Sequence, residues 1–144
     1  MILRDEQATA DLGRRLAKVL QPGDTVTLSG PLGVGKTALV RAVIGALGHT
    51  GEVPSPTFAI VQPYEELSPP IWHVDLYRIE SPEELAELGL DALHDPVLLV
   101  EWPDRAGQGA WPDALRLGLE FAGGPSRCLT PDVPPSWQDR WPVP

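Results

Sequence analysis

The sequence predicts an α/β fold with a mostly parallel sheet, flanked by helices and carrying an antiparallel hairpin or edge strand. The apolar run 25–29 has the length of a buried strand and leads through a glycine-rich turn into residues at helical spacing. The unbroken apolar run 97–101 is typical of a strand covered on both faces. Apolar and polar residues alternate strictly from Leu115 to Phe121, which indicates a half-buried strand near a sheet edge.

The glycine-rich segment Gly30–Thr37 matches the pattern G-x-x-x-x-G-K-[ST] in full. Its glycines allow successive backbone N–H groups to point at one anion, and the N-terminus of the next helix adds a positive dipole end. Lys36 is expected to reach the β- and γ-phosphates of a nucleotide, and Thr37 to offer its hydroxyl to Mg²⁺. A plain turn between a strand and a helix is the alternative interpretation. The fold is therefore expected to be P-loop NTPase-like, and the predicted nucleotide-binding residues are Gly30, Leu32, Gly33, Val34, Gly35, Lys36, Thr37 and Ala38.

The remaining elements follow from periodicity and turn signals. Residues 5–20 have the spacing of an amphipathic helix with Asp5 as its N-cap, and a turn at 21–24 separates this helix from the strand before the glycine-rich loop. Strands at 58–62 and 71–74 are expected to form a hairpin. Ser81 and Pro82 begin a short helix that stops at Gly89.

Length and composition indicate one sizeable globular domain. The chain has 144 residues, and no apolar run approaches the ~20 residues that a membrane-crossing helix needs. The N-terminus lacks the features of a secretory signal, so a cytoplasmic location without membrane contact is expected. The single cysteine, Cys128, cannot form an internal disulfide. The net charge of -9 argues against a large nucleic-acid surface, and any role near RNA is expected to act through a partner.

Two acids end predicted strands and are candidates for the chemistry of the site. In an open α/β sheet the ligand lies beyond the carboxyl ends of the strands, where Asp75 and Glu101 are expected to converge on the loop. Either acid could bind Mg²⁺ or orient an attacking water, and both are predicted to be catalytic together with Lys36. Thr57 lies on a loop where a switch threonine can sense the γ-phosphate and Mg²⁺. The predicted metal-binding residues are Thr37, Glu101, Thr57 and Asp75.

Three more side chains near these acids have two interpretations. His73 and Tyr77 flank Asp75 and are candidates for supporting hydrogen bonds, although core packing would explain both. Trp102 follows Glu101 and could stack on a base or cover the site, or could simply be packed.

The C-terminal segment is expected to differ from the rest of the chain. Six of the twenty residues from Pro125 to Pro144 are proline, and no hydrophobic period is visible. We therefore expect a domain at 1–124 and an irregular or loosely packed tail at 125–144.

Four further motifs follow the loop in order, and with it they resemble the bacterial TsaE (YjeE) family. This family is the ATPase subunit of tRNA threonylcarbamoyladenosine biosynthesis, and the resemblance runs from about Thr9 to Asp104. The family usually has glutamate where this chain has Asp104, so no role is carried over to that acid. The matching motifs are Ser55-Pro56-Thr57-Phe58, His73-Val74-Asp75-Leu76-Tyr77-Arg78, Pro82-Glu83-Glu84-Leu85 and Val100-Glu101-Trp102-Pro103.

The resemblance implies a small ATPase that does not modify tRNA itself. Members act with the TsaB and TsaD proteins, and ATP binding and hydrolysis support multiple turnover of the modification complex. The resemblance further implies that Thr9 lies near the nucleotide and that ATP and Mg²⁺ are the cofactors.

Other classes of protein remain as alternatives. A GTPase is disfavoured because the sequence contains no asparagine and hence no Asn-Lys-x-Asp motif. A small nucleotide or metabolite kinase shares the loop and the size, but Arg78 and Arg105 are the only obvious arginines for a lid. A nucleotide-gated interaction module is a third interpretation.

Overall fold

The computed structural model describes residues 1–54, 61–90, 95–107 and 109–141. Its centre is a seven-stranded sheet with the strand order β1-β7-β6-β2-β5-β4-β3. The strands are β1 Ile2–Leu3, β2 Thr25–Ser29, β3 Val61–Tyr64, β4 Ile71–Asp75, β5 Val97–Glu101, β6 Leu115–Phe121 and β7 Arg127–Asp132.

The sheet is parallel in its middle and antiparallel at both edges. Strands β6, β2, β5 and β4 pair in parallel, while β3 pairs with β4, β7 with β6 and β1 with β7 in antiparallel fashion. The prediction of an α/β fold with an antiparallel hairpin is confirmed. The prediction of a mostly parallel sheet is corrected to a mixed sheet, because the chain after β6 turns back into the sheet.

Two long helices cover one face of the sheet. Helix α1 spans Glu6–Val19 and α2 spans Lys36–Ala46. The Asp5 side chain caps α1 by accepting the Ala8 N–H at 2.9 Å, as the sequence predicted. The two helices approach closely at Gly13, where an added Cβ would lie 2.4 Å from the Ala42 Cβ. The glycine therefore lets α1 and α2 pack together.

Shorter helices lie in the connections. Helix α3 spans Pro82–Ala86, with Pro82 at its first turn, and the chain turns at Gly89 as expected. Within the part of the chain that the structure describes, 3₁₀ helices span Pro103–Ala106 and Pro135–Trp137. None of the described helices is long and apolar enough to cross a membrane.

The core has two parts, one on each face of the sheet. Alternate residues of β2 and β6, such as Val26 and Leu117, pack with α1 and α2 in the larger part. The smaller part contains Val74, Leu76, Ile79, Leu90, Leu98 and Val100. Because β5 contributes to both parts, all five of its residues are buried, as its unbroken apolar run predicted.

The predicted hairpin before Asp75 is confirmed for the described residues. Tyr64 of β3 pairs with Ile71 of β4 in antiparallel register. The expected beginning of β3, residues 58–60, lies outside the described residues.

The expected irregular structure after Pro125 is wrong for much of that segment. Strand β7 pairs with β6 along its length, so β6 is an inner strand and does not lie at an edge. The turn between them has Gly123 and Gly124 at positive φ and is closed by the Ala122 N–H donating to the Ser126 carbonyl at 3.0 Å. The sequence pattern did not predict this strand, because prolines interrupt it. The strand forms because the β6 backbone supplies its hydrogen-bond partners.

The chain beyond β7 also packs on the core. The Trp137 side chain is 1% exposed, and the Arg140 guanidinium lies 3.8 Å from the centre of its ring. Arg140 also pairs with Asp24 through nitrogen-to-oxygen distances of 2.6 and 3.0 Å. This segment therefore closes over the turn that precedes β2.

Candidate phosphate-binding site

The glycine-rich loop connects the carboxyl end of β2 to the first residue of α2. Gly30, Gly33 and Gly35 have φ values of 140°, 79° and 116°, which other residues rarely adopt. A Cβ on Gly30 would lie 2.3 Å from the carbonyl oxygen of Leu119 in β6. The first glycine is therefore required both by its backbone conformation and by the neighbouring strand.

The N-terminus of α2 opens directly onto this loop. The first N–H groups of a helix have no partner within it, and Gly35 at the N-cap has no side chain to supply one. Within the loop the Leu32 side chain is 71% exposed and Val34 is buried, while Ala38 lies exposed on the first turn of α2. The helix end thus has the donors and the dipole orientation that an anion requires.

Lys36 is the basic group of the loop, and it is only 4% exposed. Its ammonium group donates to the carbonyl of Gly30 and, at 3.4 Å, to that of Pro31. Burial lowers the pKa of Lys36, whereas the nearby charges of Glu101, Asp75 and Asp104 act in the opposite direction. The lysine is therefore held against the loop and near carboxylates on three other elements, β5, β4 and the 3₁₀ helix Pro103–Ala106.

Glu101 joins the end of β5 to the first turn of α2. The hydroxyl of Thr37 lies 2.9 Å from its Oε1 and 3.1 Å from its Oε2. The Nε2 atom of His73 in β4 lies 2.6 Å from the same Oε2. Both His73 and Glu101 are buried, so this carboxylate is fixed from two sides.

Asp75 lies beside Glu101 at the ends of the neighbouring strands. The two residues are paired in the register of β4 and β5, which places both on the sheet face that α2 covers. The Asp75 Oδ1 accepts the Tyr77 N–H at 2.9 Å. Burial, with a smaller contribution from the charge of Glu101, raises the pKa of Asp75 above its usual value.

Trp102 has an unusual backbone and contacts the lysine. Its φ of 59° lies in the left-handed region, which bulky residues rarely adopt. Residues in such conformations are found most often at functional sites. The Lys36 ammonium lies 3.6 Å from the centre of its ring, and the Tyr77 ring centre is 4.9 Å away. Trp102 thus lies against Lys36 and also packs against the smaller part of the core, so the structure is consistent with both interpretations from the sequence.

Arg127 supports the loop and was not predicted. Its Nε donates to the carbonyl of Val34 at 2.8 Å, and its guanidinium lies 4.7 Å from the centre of the Phe121 ring. Arg127 opens β7, a strand that the sequence pattern did not reveal. No signal in the sequence pairs it with a loop residue 93 positions earlier.

Two predicted site residues, Thr9 and Thr57, are not among the side chains described above. Thr9 is buried on α1, and no hydrogen bond among the described residues joins its side chain to the loop. Thr57 lies outside the described residues.

Within the described ranges, no group of three or more His, Cys, Asp or Glu side chains could hold a metal ion. A cation here would need further ligands, such as phosphate oxygens, beside Thr37 and Glu101.

The fold and the site define a class: an α/β protein with a candidate phosphate-binding loop at the carboxyl edge of a parallel strand group. Residues 3–127 match the family model described as "Threonylcarbamoyl adenosine biosynthesis protein TsaE". The chain belongs to this family.

Curated relatives and a solved structure agree with the family match. The TsaE protein of Streptomyces coelicolor is 46% identical over 118 residues, which cover 79% of this chain and 80% of the relative. The TsaE protein of Haemophilus influenzae is 39% identical over 117 residues, with 76% and 73% covered. The crystal structure of Bacillus subtilus YdiB matches with a TM-score of 0.78 at 26% identity, covering 96% of this chain and 87% of that one. Both curated relatives are named for tRNA threonylcarbamoyladenosine biosynthesis.

Proposed function

We propose that this chain is an ATPase with a P-loop NTPase-like fold, which binds ATP with Mg²⁺ and supports turnover of a TsaB–TsaD complex during threonylcarbamoyladenosine modification of tRNA. The observation that carries the proposal is the contact of Thr37 with Glu101 at the N-terminus of α2. It brings a hydroxyl and a carboxylate together beside a loop with anion-binding geometry.

The loop fits a triphosphate on two grounds. Its glycine conformations and the free N–H groups of α2 suit phosphate oxygens, and Lys36 adds a positive charge at the same place. Burial lowers the pKa of Lys36, and a negatively charged ligand would act in the opposite direction, because an opposite charge stabilises the ammonium form.

The donor set also fits Mg²⁺, which prefers oxygen ligands and keeps several positions for water and phosphate. Thr37 Oγ1 and a Glu101 carboxylate oxygen are the residues that would hold it. Bound there, the ion would neutralise charge that develops on the phosphates during hydrolysis.

Asp75 is the proposed group that orients the attacking water. It lies next to Glu101 on the sheet edge but makes no bond to Thr37 among the described residues. Its raised pKa is the direction expected of a carboxylate that accepts a proton more readily than a solvated one. The proposal therefore divides the two acids: Glu101 for the metal and Asp75 for water.

Calorimetry of ATP binding tests the nucleotide site. Wild-type protein should bind ATP more tightly with Mg²⁺ than with EDTA, and Lys36→Ala should lose this binding. The matched control is Lys18→Ala, which removes the only other lysine, an exposed residue of α1. Undiminished ATP affinity in Lys36→Ala would contradict the proposed role of the loop.

Turnover assays test the partners. ATP hydrolysis should be slow for the chain alone and faster when TsaB and TsaD proteins are added. Equal rates with and without them would contradict the partner proposal. Transfer of phosphate from ATP to a small metabolite, detected by mass spectrometry, would instead support the kinase alternative.

A further inference from the structure

A buried histidine contacts the proposed metal ligand. The side chain of His73 is 0% exposed and that of Glu101 is 3% exposed, and the atoms Nε2 and Oε2 lie 2.6 Å apart. A carboxylate that binds a cation is ionised and can only accept hydrogen bonds, so in the proposed site the hydrogen between the two atoms belongs to His73 Nε2. In that site His73 therefore donates to Glu101 within the buried interior of the protein.

Core packing alone does not explain a histidine at this position. Its second ring nitrogen, Nδ1, is buried and has no hydrogen-bond partner among the described residues. A buried polar atom without a partner is unfavourable, and an apolar side chain of similar size would avoid it. Two neighbours of His73 on its sheet face, Ile71 in β4 and Leu99 in β5, are such apolar residues, whereas Gln62 of β3, its partner across the hairpin, is polar and only half-buried. What distinguishes His73 from them is its bond to Glu101.

The bond also makes the two oxygens of Glu101 unequal. Oε2 accepts from His73 and lies 3.1 Å from the Thr37 hydroxyl, whereas Oε1 has only that hydroxyl, at 2.9 Å, as a partner among the described residues. With Oε2 fixed, the carboxylate cannot rotate without breaking a short buried hydrogen bond. Oε1 thus keeps a free lone pair beside the Thr37 hydroxyl.

We infer that His73 is a positioning residue, which fixes Glu101 through Oε2 so that Oε1 and Thr37 Oγ1 together face the divalent cation. This inference rests on the proposed function, because it requires a cation at Thr37 and Glu101. It goes beyond that function by assigning to His73 the orientation of the metal ligand and to Oε1 the contact with the ion. Partners that orient metal ligands contribute about 10–100-fold to metal affinity.

Two amide variants distinguish positioning from packing. His73→Gln places its amide nitrogen where Nε2 of histidine lies, so it retains the donor to Glu101. His73→Asn is one bond shorter and places its nitrogen near the position of Nδ1, so it cannot reach Oε2. Both variants are polar and neutral, and thermal melts check that each one folds.

The measurement is the ratio of ATP affinity with Mg²⁺ to ATP affinity with EDTA, by calorimetry. In His73→Asn this ratio should fall roughly tenfold or more, with the affinity in EDTA unchanged, while His73→Gln should stay within about threefold of wild type. If His73→Asn does not fold, His73→Leu, which fills the apolar space, takes its place with the same expected loss.

An unchanged ratio in His73→Asn would overturn the inference. This outcome includes equal losses of ATP affinity with Mg²⁺ and with EDTA, which would indicate a packing role only. Failure of the proposed function gives a different result: wild-type protein itself would show no Mg²⁺-dependent ATP binding, which would overturn both.

Discussion

The Thr37 hydroxyl lies 2.9 Å from Glu101 Oε1 and 3.1 Å from Oε2, joining the first turn of α2 to the last residue of β5 across 64 positions of sequence. The contact exists because β2 and β5 are parallel neighbours, which brings the end of one strand beside the loop that follows the other. The two side chains are therefore expected to act as a unit.

A double-mutant cycle tests whether they do. Thr37→Val and Glu101→Gln should each weaken Mg²⁺-ATP binding, and the double variant should lose less than the sum of the two free energies, since both variants disrupt one cation site. Residues in contact typically show interaction energies of about 0.5–3 kcal/mol. Calorimetry provides the four affinities, and strictly additive losses would contradict a shared site.

Arg127 should influence nucleotide affinity through the loop. In Arg127→Gln the bond to the Val34 carbonyl is lost, and a less restrained loop should bind ATP several-fold more weakly, since one hydrogen bond contributes about 1 kcal/mol. Arg116→Gln is the matched control, because Arg116 lies on the same pair of strands but contacts Asp132 and Trp111. Equal affinities in the two variants would show that Arg127 does not support the loop.

Trp137 should contribute strongly to stability although it lies in the proline-rich segment. Trp137→Ala removes a fully buried indole and the surface on which Arg140 stacks, so the free energy of unfolding should fall by about 3–5 kcal/mol. Urea unfolding measures this change. Asp139→Ala, at an exposed position nearby, should change stability by no more than about 0.5 kcal/mol. Similar unfolding midpoints for both variants would mean that the segment is dispensable.

The raised pKa of Asp75 predicts a pH-dependent gain of stability in Asp75→Asn. The folded protein binds the Asp75 proton more tightly than the unfolded chain, so this contribution is present at acid pH and is lost as the pH rises through the raised pKa. Asparagine mimics the protonated form and retains the acceptor for the Tyr77 N–H.

At neutral pH the melting temperature of Asp75→Asn should therefore exceed that of wild type, by roughly 2–4 °C for each kcal/mol gained. The difference should disappear below the ordinary pKa of an aspartate. Thermal melts from pH 3 to pH 8 measure it, with Asp139→Asn as an exposed control. A constant difference across this range would exclude Asp75 titration as the cause.

Much of the fold could be read from local patterns. The boundaries of α1, the buried β5 and the β3–β4 hairpin follow from side-chain periodicity and turn residues, which are properties of neighbouring positions. Strand β7 could not be read in this way. Its side chains show no regular alternation of buried and exposed positions, and Pro131 interrupts the pattern. The strand forms because β6 offers an open edge.

The site likewise has features that local sequence patterns predict and others that they do not. The glycine-rich pattern locates the loop, and acids at strand ends predict that Asp75 and Glu101 come near it. Other features of the site depend on contacts between distant segments. These are the hydrogen bond of Arg127 to the loop, the position of Trp102 against Lys36 and the contact of His73 with Glu101.

The sequence by itself determined the glycine-rich pattern, the order of the main strands and helices from α1 to β6 and the family to which the chain belongs, because these are carried by residue type and spacing. Only the tertiary structure decided which side chain touches which: that Thr37 and His73 share Glu101, and that the C-terminal segment completes the sheet and supports the loop. These contacts arise from strand order and register, which bring together positions far apart in the chain and are not encoded in any local pattern.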